Sequence, residues 1–327
     1  MKKEALFYTV DKDGKVLCEL CPQRCHIKEA GIGFCGARKV EDGVLYTLNY
    51  GNISSASMDP IEKKPLYHFR PGKFILSVGS FGCNFRCGFC QNFSISQTQP
   101  NTQYLTPEEL IDLALKQENN TGIAFTYNEP SIWYEYVKDV CEKAKDKNID
   151  LVLVSNGYIS EEPLEALLPY ISAANIDLKA FDNKFYKDVC GGDVKMVMRN
   201  IEKMHDKCHL EITTLLIEGY NDSEDEVSKL CKWIADLNPN IPLHLSRYFP
   251  SYKFDTPATS LERMSLCRDI AKQYLNYVYV GNVQDADKNT YCPKCGELLI
   301  KRTTFDTEVL LDNKNCPSCK YDINISL

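Results

Sequence analysis

Gly82-Cys83-Asn84-Phe85-Arg86-Cys87-Gly88-Phe89-Cys90-Gln91-Asn92 directly follows a short apolar run at 74–78. Its cysteines are spaced C-x3-C-x2-C. Three thiolates in one loop can hold three irons of a [4Fe–4S] cube, and no fourth cysteine follows nearby to hold the last iron. An open iron can bind a substrate or cofactor, whereas a fully ligated cluster only passes electrons. The alternative is a three-cysteine zinc site with a distant fourth ligand, although zinc loops more often use two C-x2-C pairs. Phe85 and Phe89, interleaved with the cysteines, would either shield a cluster from water or serve as ordinary core.

Outward from this loop, β-branched runs alternate with amphipathic segments. Strands are predicted at 74–78, 123–127, 151–154, 174–178, 210–217, 243–248 and 277–280. Thr106-Pro107-Glu108-Glu109 reads as a capping box, with Leu110, Leu113 and Ala114 following at helical spacing. Thr259 and Glu262 predict a second box ahead of Met264, Cys267 and Ile270, and Ser160 is placed to cap 164–168. Repeated βα units imply a parallel sheet with helical crossovers. Six or seven units are too few for a closed eight-fold barrel, so the fold class is α/β, a partial (β/α)6-type barrel or a doubly wound sheet. In either, ligands meet the loops at the C-terminal ends of the strands. Three parts are expected: 1–70, a Cys-rich metal-binding lobe; 71–285, the partial barrel; and 286–327, a zinc ribbon.

Composition sets outer limits. The 327 residues are 44% hydrophobic and 25% charged, which suits a globular chain with a sizeable core. Lys+Arg 38 against Asp+Glu 45 gives −7, a poor balance for non-specific nucleic-acid binding. No apolar run approaches the roughly 18 residues that span a bilayer, and the first residues lack the apolar stretch of a secretory leader. A cytoplasmic location is expected. Eleven of the 16 cysteines fall in three tight groups, and clustered reduced thiolates point to metal. Cys292-Pro-Lys-Cys295 and Cys316-Pro-Ser-Cys319 are two C-x2-C knuckles flanking predicted strands at 298–300 and 309–311. This is a zinc-ribbon pattern with no open coordination position, the alternative being rubredoxin-like iron or a cluster. Cys18, Cys21, Cys25 and Cys35 form another four-thiolate set, read as zinc with an auxiliary [4Fe–4S] cluster close behind.

The C-x3-C-x2-C loop after the first strand of a βα series resembles the radical SAM (S-adenosylmethionine) enzymes. The wider wording is similar to the AmmeMemoRadiSam-system radical SAM proteins, themselves similar to pyruvate formate-lyase activating enzymes. It includes Tyr50-Gly51-Asn52-Ile53-Ser54-Ser55, Asp59-Pro60-Ile61-Glu62-Lys63-Lys64-Pro65-Leu66-Tyr67-His68, Ser80-Phe81-Gly82-Cys83-Asn84-Phe85 and His244-Leu245-Ser246-Arg247-Tyr248-Phe249-Pro250. The resemblance implies that the open iron chelates the methionine end of SAM. One electron then cleaves the sulfur–carbon bond, giving methionine and a 5′-deoxyadenosyl radical that abstracts hydrogen from a substrate. It also implies an electron donor such as a ferredoxin or flavodoxin, and possible partner proteins of the same system.

The resemblance further suggests where SAM sits. Tyr127-Asn128-Glu129-Pro130 stands where the family has Gly-Gly-Glu-Pro, which contacts the SAM amino group; Glu129 and Pro130 are kept and both glycines are replaced. Glu129 could equally cap the helix that Pro130-Ser131 opens. Ser155-Asn156-Gly157 matches a Thr-Asn-Gly that lies against ribose and carboxylate, or is a plain turn. Asp177-Leu178-Lys179 matches the activating enzymes' Asp-Leu-Lys, its two charges sharing one strand face, or forms a surface ion pair. Alternation puts His244, Ser246 and Tyr248 on one face, and Glu211 and Thr213 on the matching face of the preceding strand. His244 is therefore expected at the ligand cavity or as a satisfied core histidine. Arg247 and Gly281-Asn282-Val283, near the adenine edge, are weaker candidates. Three functions compete: a radical SAM enzyme acting on a small molecule or on groups handed over by partners, an activase taking hydrogen from a glycine of a partner enzyme, and a non-catalytic metal-stapled redox or scaffold protein.

Overall fold

The computed structural model describes residues 2–303 and 306–327. Its centre is an eight-stranded sheet: β1 Ser55–Pro60, β2 Phe74–Gly79, β3 Asn120–Phe125, β4 Asp150–Ser155, β5 Ala173–Asp177, β6 His209–Leu216, β7 Leu243–Arg247 and β8 Val278–Gly281. Spatial order follows chain order from β1 to β8 without a reversal. β2 to β8 are parallel, and β1 pairs antiparallel with β2 from Ser55↔Gly79 to Pro60↔Phe74. β1 and β8 are opposite edges and do not pair with each other, so the sheet is an open barrel segment. The doubly wound alternative is excluded, because that topology needs a switch point where strand order reverses. Every predicted strand is present within a few residues, and the expected 1–70 part reaches into the sheet through β1.

The two sheet faces have different chemistry. Leu76, Val78, Ile123, Phe125, Leu151, Leu153, Ile176 and Ile212 face outward into the main core. The helices cover them with their own apolar stripes, for example Leu110, Ile111 and Ala114 of Pro107–Lys116 and Val227, Leu230 and Ile234 of Glu224–Leu237. Three scattered cysteines, Cys141, Cys231 and Cys267, are buried on these helical faces and are core residues. On the concave face Ile75, Ala124, Val152 and Ala173 meet Ile61, Leu66 and Phe69, which plug the end where the strands begin.

The capping box at Thr106 and Glu109 is complete. The second box is shifted: Ser260 caps Leu261–Ala271 through Arg263 N–H, while the Thr259 hydroxyl donates to Leu216 O at 2.6 Å. Ser160 occupies the N-cap of Glu161–Leu167 without a side-chain bond, because Pro163 removes the N–H at the third helical position.

The C-terminal ribbon has strands Thr290–Tyr291, Leu298–Arg302 and Thr307–Val309. The last pairs through Ile300↔Val309, two residues earlier than predicted. The ribbon docks beneath the barrel floor: Arg302 donates to Tyr67 O at 2.6 Å, and His68 Nδ1 bonds Asn324 O at 2.8 Å. The ribbon therefore lies away from the strand ends where ligands are expected.

Candidate active site

A cavity of about 340 Å³ opens at the C-terminal ends of the strands. Cys83, Cys87 and Cys90 line it together with Glu129, Ser155, Asn156, Asp177 and Lys179. Phe85 and Phe89 both line it and both are buried, Phe85 against Tyr158 and Tyr186, and Phe89 against Phe185 and Phe254. Shielding and core packing are the same contacts here.

Each predicted side chain has a defined place. The Glu129 carboxylate accepts from Ser131 N (2.9 Å) and Ser155 Oγ (2.7 Å) on one oxygen, and from Asn156 N (2.8 Å) on the other. It thus caps the Pro130–Trp133 turn and joins two strand ends at once. Burial pushes its carboxyl pKa up, against these hydrogen bonds. Asn156 Nδ2 donates to Asn84 Oδ1 at 2.9 Å and lies 3.7 Å from Cys83 Sγ, so this turn touches the cysteine loop. Asp177 and Lys179 form an ion pair at 2.9 Å. Burial opposes the Lys179 ammonium, but Asp177 and the sulfurs of Cys87 and Cys190 outweigh it, and its pKa stands well above the usual lysine value.

His244 is on the predicted face but not at the cavity. Thr213, Leu215 and Ser246 line the cavity, while Glu211 and His244 stand two residues nearer the strand starts. There the fully buried Glu211 carboxylate accepts from Tyr67 N (2.9 Å), His68 N (2.7 Å), His209 Nε2 (3.0 Å) and His244 Nε2 (2.6 Å). These partners hold its pKa far below the usual carboxylate range despite burial. His244 also stacks on Tyr279, centroids 5.3 Å apart. The ligand expectation for His244 is corrected to a floor-network histidine. Arg247 donates to Thr259 O at 2.6 Å, and Asn282 to Ser246 Oγ at 3.0 Å; neither lines the cavity.

One participant, Cys190, and the contacts of two others, Asn128 and Tyr127, were not legible in the sequence. The Cys190 thiol, about a hundred residues from the motif, is hydrogen-bonded to Cys87, a contact that with burial pushes the Cys87 thiol pKa well up. Asn128 accepts from Ser80 N at 2.9 Å and donates to Gly82 O at 3.1 Å, clamping the entry to the cysteine loop. Tyr127, with φ 69°, donates its hydroxyl to Asp59 at 2.7 Å and lies under Lys64 Nζ at 4.6 Å. The family-like wording around 59–64 and the Tyr127-Asn128-Glu129-Pro130 loop both pointed to this corner, but not to their contact.

The residues present fit a cluster and SAM. Cys83, Cys87 and Cys90 all line one cavity, whereas Cys292, Cys295, Cys316 and Cys319 have ligand atoms all within 4.8 Å of one another. The cavity also offers an acid, an ion pair and an amide for a zwitterion. In the C-terminal set the sulfurs pair at 3.5 Å (Cys292, Cys319) and 3.6 Å (Cys295, Cys316), a four-cysteine group of single-ion size.

Comparison with known proteins agrees. An uncharacterized protein of Methanocaldococcus jannaschii is 41% identical over 99% of this chain and 100% of its own. The 4-hydroxyphenylacetate decarboxylase activating enzyme of Clostridium scatologenes is 28% identical over 45% of this chain and 52% of its own, so the chain spans about half of that relative. Streptococcus suis SuiB bound to S-adenosylmethionine shares the fold with a TM-score of 0.52 at 14% identity, over 64% of this chain and 52% of that one. A radical SAM methyltransferase from Sphaerobacter thermophilus does so with a TM-score of 0.51 at 17% identity, over 69% and 70%. The Radical SAM superfamily model matches residues 77–231, from the strand that feeds the cysteine loop through the strand ends around the cavity. Family and cavity coincide in the same segment, and residues 77–231 of this chain are a radical SAM superfamily domain.

Proposed function

We propose that this chain reductively cleaves SAM at a [4Fe–4S] cluster held by Cys83, Cys87 and Cys90, and that the resulting 5′-deoxyadenosyl radical takes hydrogen from a substrate. The observation that carries this is the opening of all three sulfurs onto the cavity that also presents Glu129, Asn156, Asp177 and Lys179. The cluster supplies the electron and the open iron; the protein binds, orients and excludes water. Glu129 and the Asp177–Lys179 pair hold the methionine end, with Ser155 keeping Glu129 in place. Phe85 and Phe89 keep the cavity wall dry. A one-electron donor of ferredoxin or flavodoxin type feeds the reaction in a reducing, cytoplasmic setting. Among the described residues no helix is long and apolar enough to cross a membrane. The division into 1–70, 71–285 and 286–327, zinc in the ribbon, and membership in the AmmeMemoRadiSam system belong to the same proposal.

A second reading is an activase that acts on a partner protein. Phe93 and Tyr252 stack with centroids 4.8 Å apart, and each is about two-fifths exposed. They stand beside the cysteine loop, where Ser251 Oγ donates to Cys90 O at 3.1 Å and Lys253 N to Gly88 O at 2.9 Å. Exposed aromatic residues at a site's edge suit a protein partner, and a relative is named as an activating enzyme.

The test is anaerobic reconstitution followed by electron paramagnetic resonance of the reduced protein. A signal that shifts on adding SAM is expected, and this SAM-responsive signal is expected to be lost in the triple Cys→Ala variant at 83, 87 and 90. An unchanged signal at saturating SAM, with cluster content verified, overturns the reading. Deuterium transfer into 5′-deoxyadenosine from labelled small molecules or partner proteins then separates the two substrate classes.

A further inference from the structure

β8 is an edge of the main sheet, and its register with β7 fixes which way its backbone points. Leu243 N–H donates to Tyr277 O at 3.0 Å, and Leu243 and Val278 are Cα partners. In a parallel ladder the residues of a strand turn their N–H and C=O groups alternately to its two sides. Tyr277, Tyr279 and Gly281 therefore turn theirs toward β7, and Val278 and Val280 turn theirs outward. Among the described residues nothing pairs with these outward groups. Sheet edges are commonly blunted by a charge, a proline or a bulge. Val278-Tyr279-Val280-Gly281 carries no charge and no proline, and its register is unbroken. The opposite edge, β1, ends on Asp59-Pro60.

This edge lies in a groove of about 330 Å³. Tyr277, Val278, Tyr279 and Val280 all line it. Side chains of successive strand residues point to opposite faces, so four in a row along one groove mark the backbone itself as lining. One wall is the helix Leu261–Ala271 with Lys272 at its end, and the other is the polar linker and the ribbon. Leu261 and Tyr291, one on each wall, are 50% and 41% exposed and give the groove apolar rims. Its charges are mostly spent. Asp287 accepts from the Tyr291 hydroxyl at 3.0 Å and from Asn289 N at 3.0 Å, and Arg268 pairs with Asp269 at 2.8 Å. Lys272 has no ion pair among the described residues.

Two outward N–H and C=O pairs at strand spacing call for an extended backbone, and an added strand takes its specificity from pockets for alternate side chains. A lone strand brings no flanking elements, whereas β8 of a second copy would bring its own helix and ribbon against these walls. We propose that the groove beside β8 binds an extended, largely apolar segment of a partner protein as an added strand, with a carboxylate of that segment on Lys272. Gly281 is the Cα partner of Ser246, which lines the catalytic cavity, so a strand laid parallel to β8 leaves the groove at the cavity end. Docking at this edge needs no bound SAM and stands apart from the reaction proposed above.

Residue-resolved hydrogen exchange on the full chain reads the edge directly. In the free protein the Val278 and Val280 amides are expected to exchange freely, and those of Tyr279 and Gly281 slowly, since these donate to β7. The probe is a capped synthetic peptide of alternating valine and threonine with a single glutamate. It is expected to protect Val278 and Val280, and the same peptide N-methylated throughout, which has no backbone donor, is not. Val280→Pro removes one outward N–H and no bond to β7, and is expected to weaken the peptide about tenfold. Lys272→Glu gives a second reading if that variant fails to fold: it is expected to weaken the glutamate peptide and to favour one carrying lysine in its place. Val278 and Val280 amides already protected in the free monomer, or unprotected at millimolar peptide, overturn the proposal, as does equal affinity in wild type and both variants. Protection that grows with protein concentration alongside dimerisation gives the edge to a second copy and overturns it too.

Discussion

Replacing Glu129 by Gln separates two roles that the structure gives one carboxylate. Its oxygens accept three hydrogen bonds, from Ser131 N and Ser155 Oγ on one and from Asn156 N on the other. A glutamine has one acceptor oxygen. With that oxygen facing Ser131 and Ser155, its amide NH2 meets the Asn156 N–H and leaves a buried donor unpaired. In the opposite orientation the Ser155 hydroxyl can accept from the amide and only the Ser131 N–H is left unpaired. Either arrangement costs about 1–3 kcal/mol, or several degrees in Tm. Losing a charge-assisted bond to the SAM ammonium adds about 1.5–3 kcal/mol to binding, about tenfold to hundredfold in affinity. Because burial raises the Glu129 pKa above its usual 4.5, wild-type SAM affinity is expected to fall as pH drops through that raised value. Protonation removes the charge that pairs with the ammonium, and the variant lacks this limb. Equilibrium SAM binding across pH, with iron content and thermal unfolding measured on the same samples, gives both terms. A lowered Tm with wild-type SAM affinity at every pH would reduce Glu129 to a helix cap and refute its binding role.

Cys316→Ser is expected to empty the C-terminal site and lower Tm, since small ribbons depend on their metal, while the absorbance of the central cluster stays; full metal occupancy with unchanged Tm counts against it. His68 is fully buried between Asn324 O and the Tyr279 hydroxyl, and burial lowers its pKa from 6.5 to about 4. The unfolded chain takes up this proton first, so the stability is present above about pH 6.5 and lost as pH falls toward 4, about 3 kcal/mol in all. Urea unfolding from pH 7 to 4 is expected to show a shallower slope in His68→Gln, and an identical slope refutes the assignment.

The barrel strands and the three cysteine groups were legible because their signals are local: β-branched runs, and thiols two or three residues apart. Depth along a strand was not. Alternation correctly put Glu211 and Thr213, and His244 and Ser246, on the concave face. It could not tell that Thr213 and Ser246 meet the cavity while Glu211 and His244 meet Tyr67 and His68. That distinction depends on which segment plugs the barrel from below, and the plug comes from residues more than a hundred positions away. Cys190 was illegible for the same reason: nothing near it in sequence marks the sulfur it touches.

The replaced glycines of the Tyr127-Asn128-Glu129-Pro130 loop show how a departure from a family pattern can be carried by the rest of the chain. Tyr127 holds a left-handed backbone, φ 69°, which costs a non-glycine residue on the order of 1 kcal/mol or more. Glycine there would remove the strain and also every anchor the side chain makes. The Tyr127 hydroxyl bonds Asp59 at 2.7 Å, Asp59 bonds the buried Lys64 at 2.8 Å, and Lys64 returns over the tyrosine ring. Asn92, two residues past Cys90, donates to Tyr127 O at 2.7 Å, and Asn128 holds both Ser80 and Gly82. The room this loop needs comes from the facing strand instead, where a Cβ at Gly79 would stand 2.7 Å from Thr126 O. Side chains from β1, the cysteine loop and the turn after it thus fix what glycines leave mobile, and they set Lys63 and Lys64 in the cavity wall with Cys83, Cys87 and Cys90.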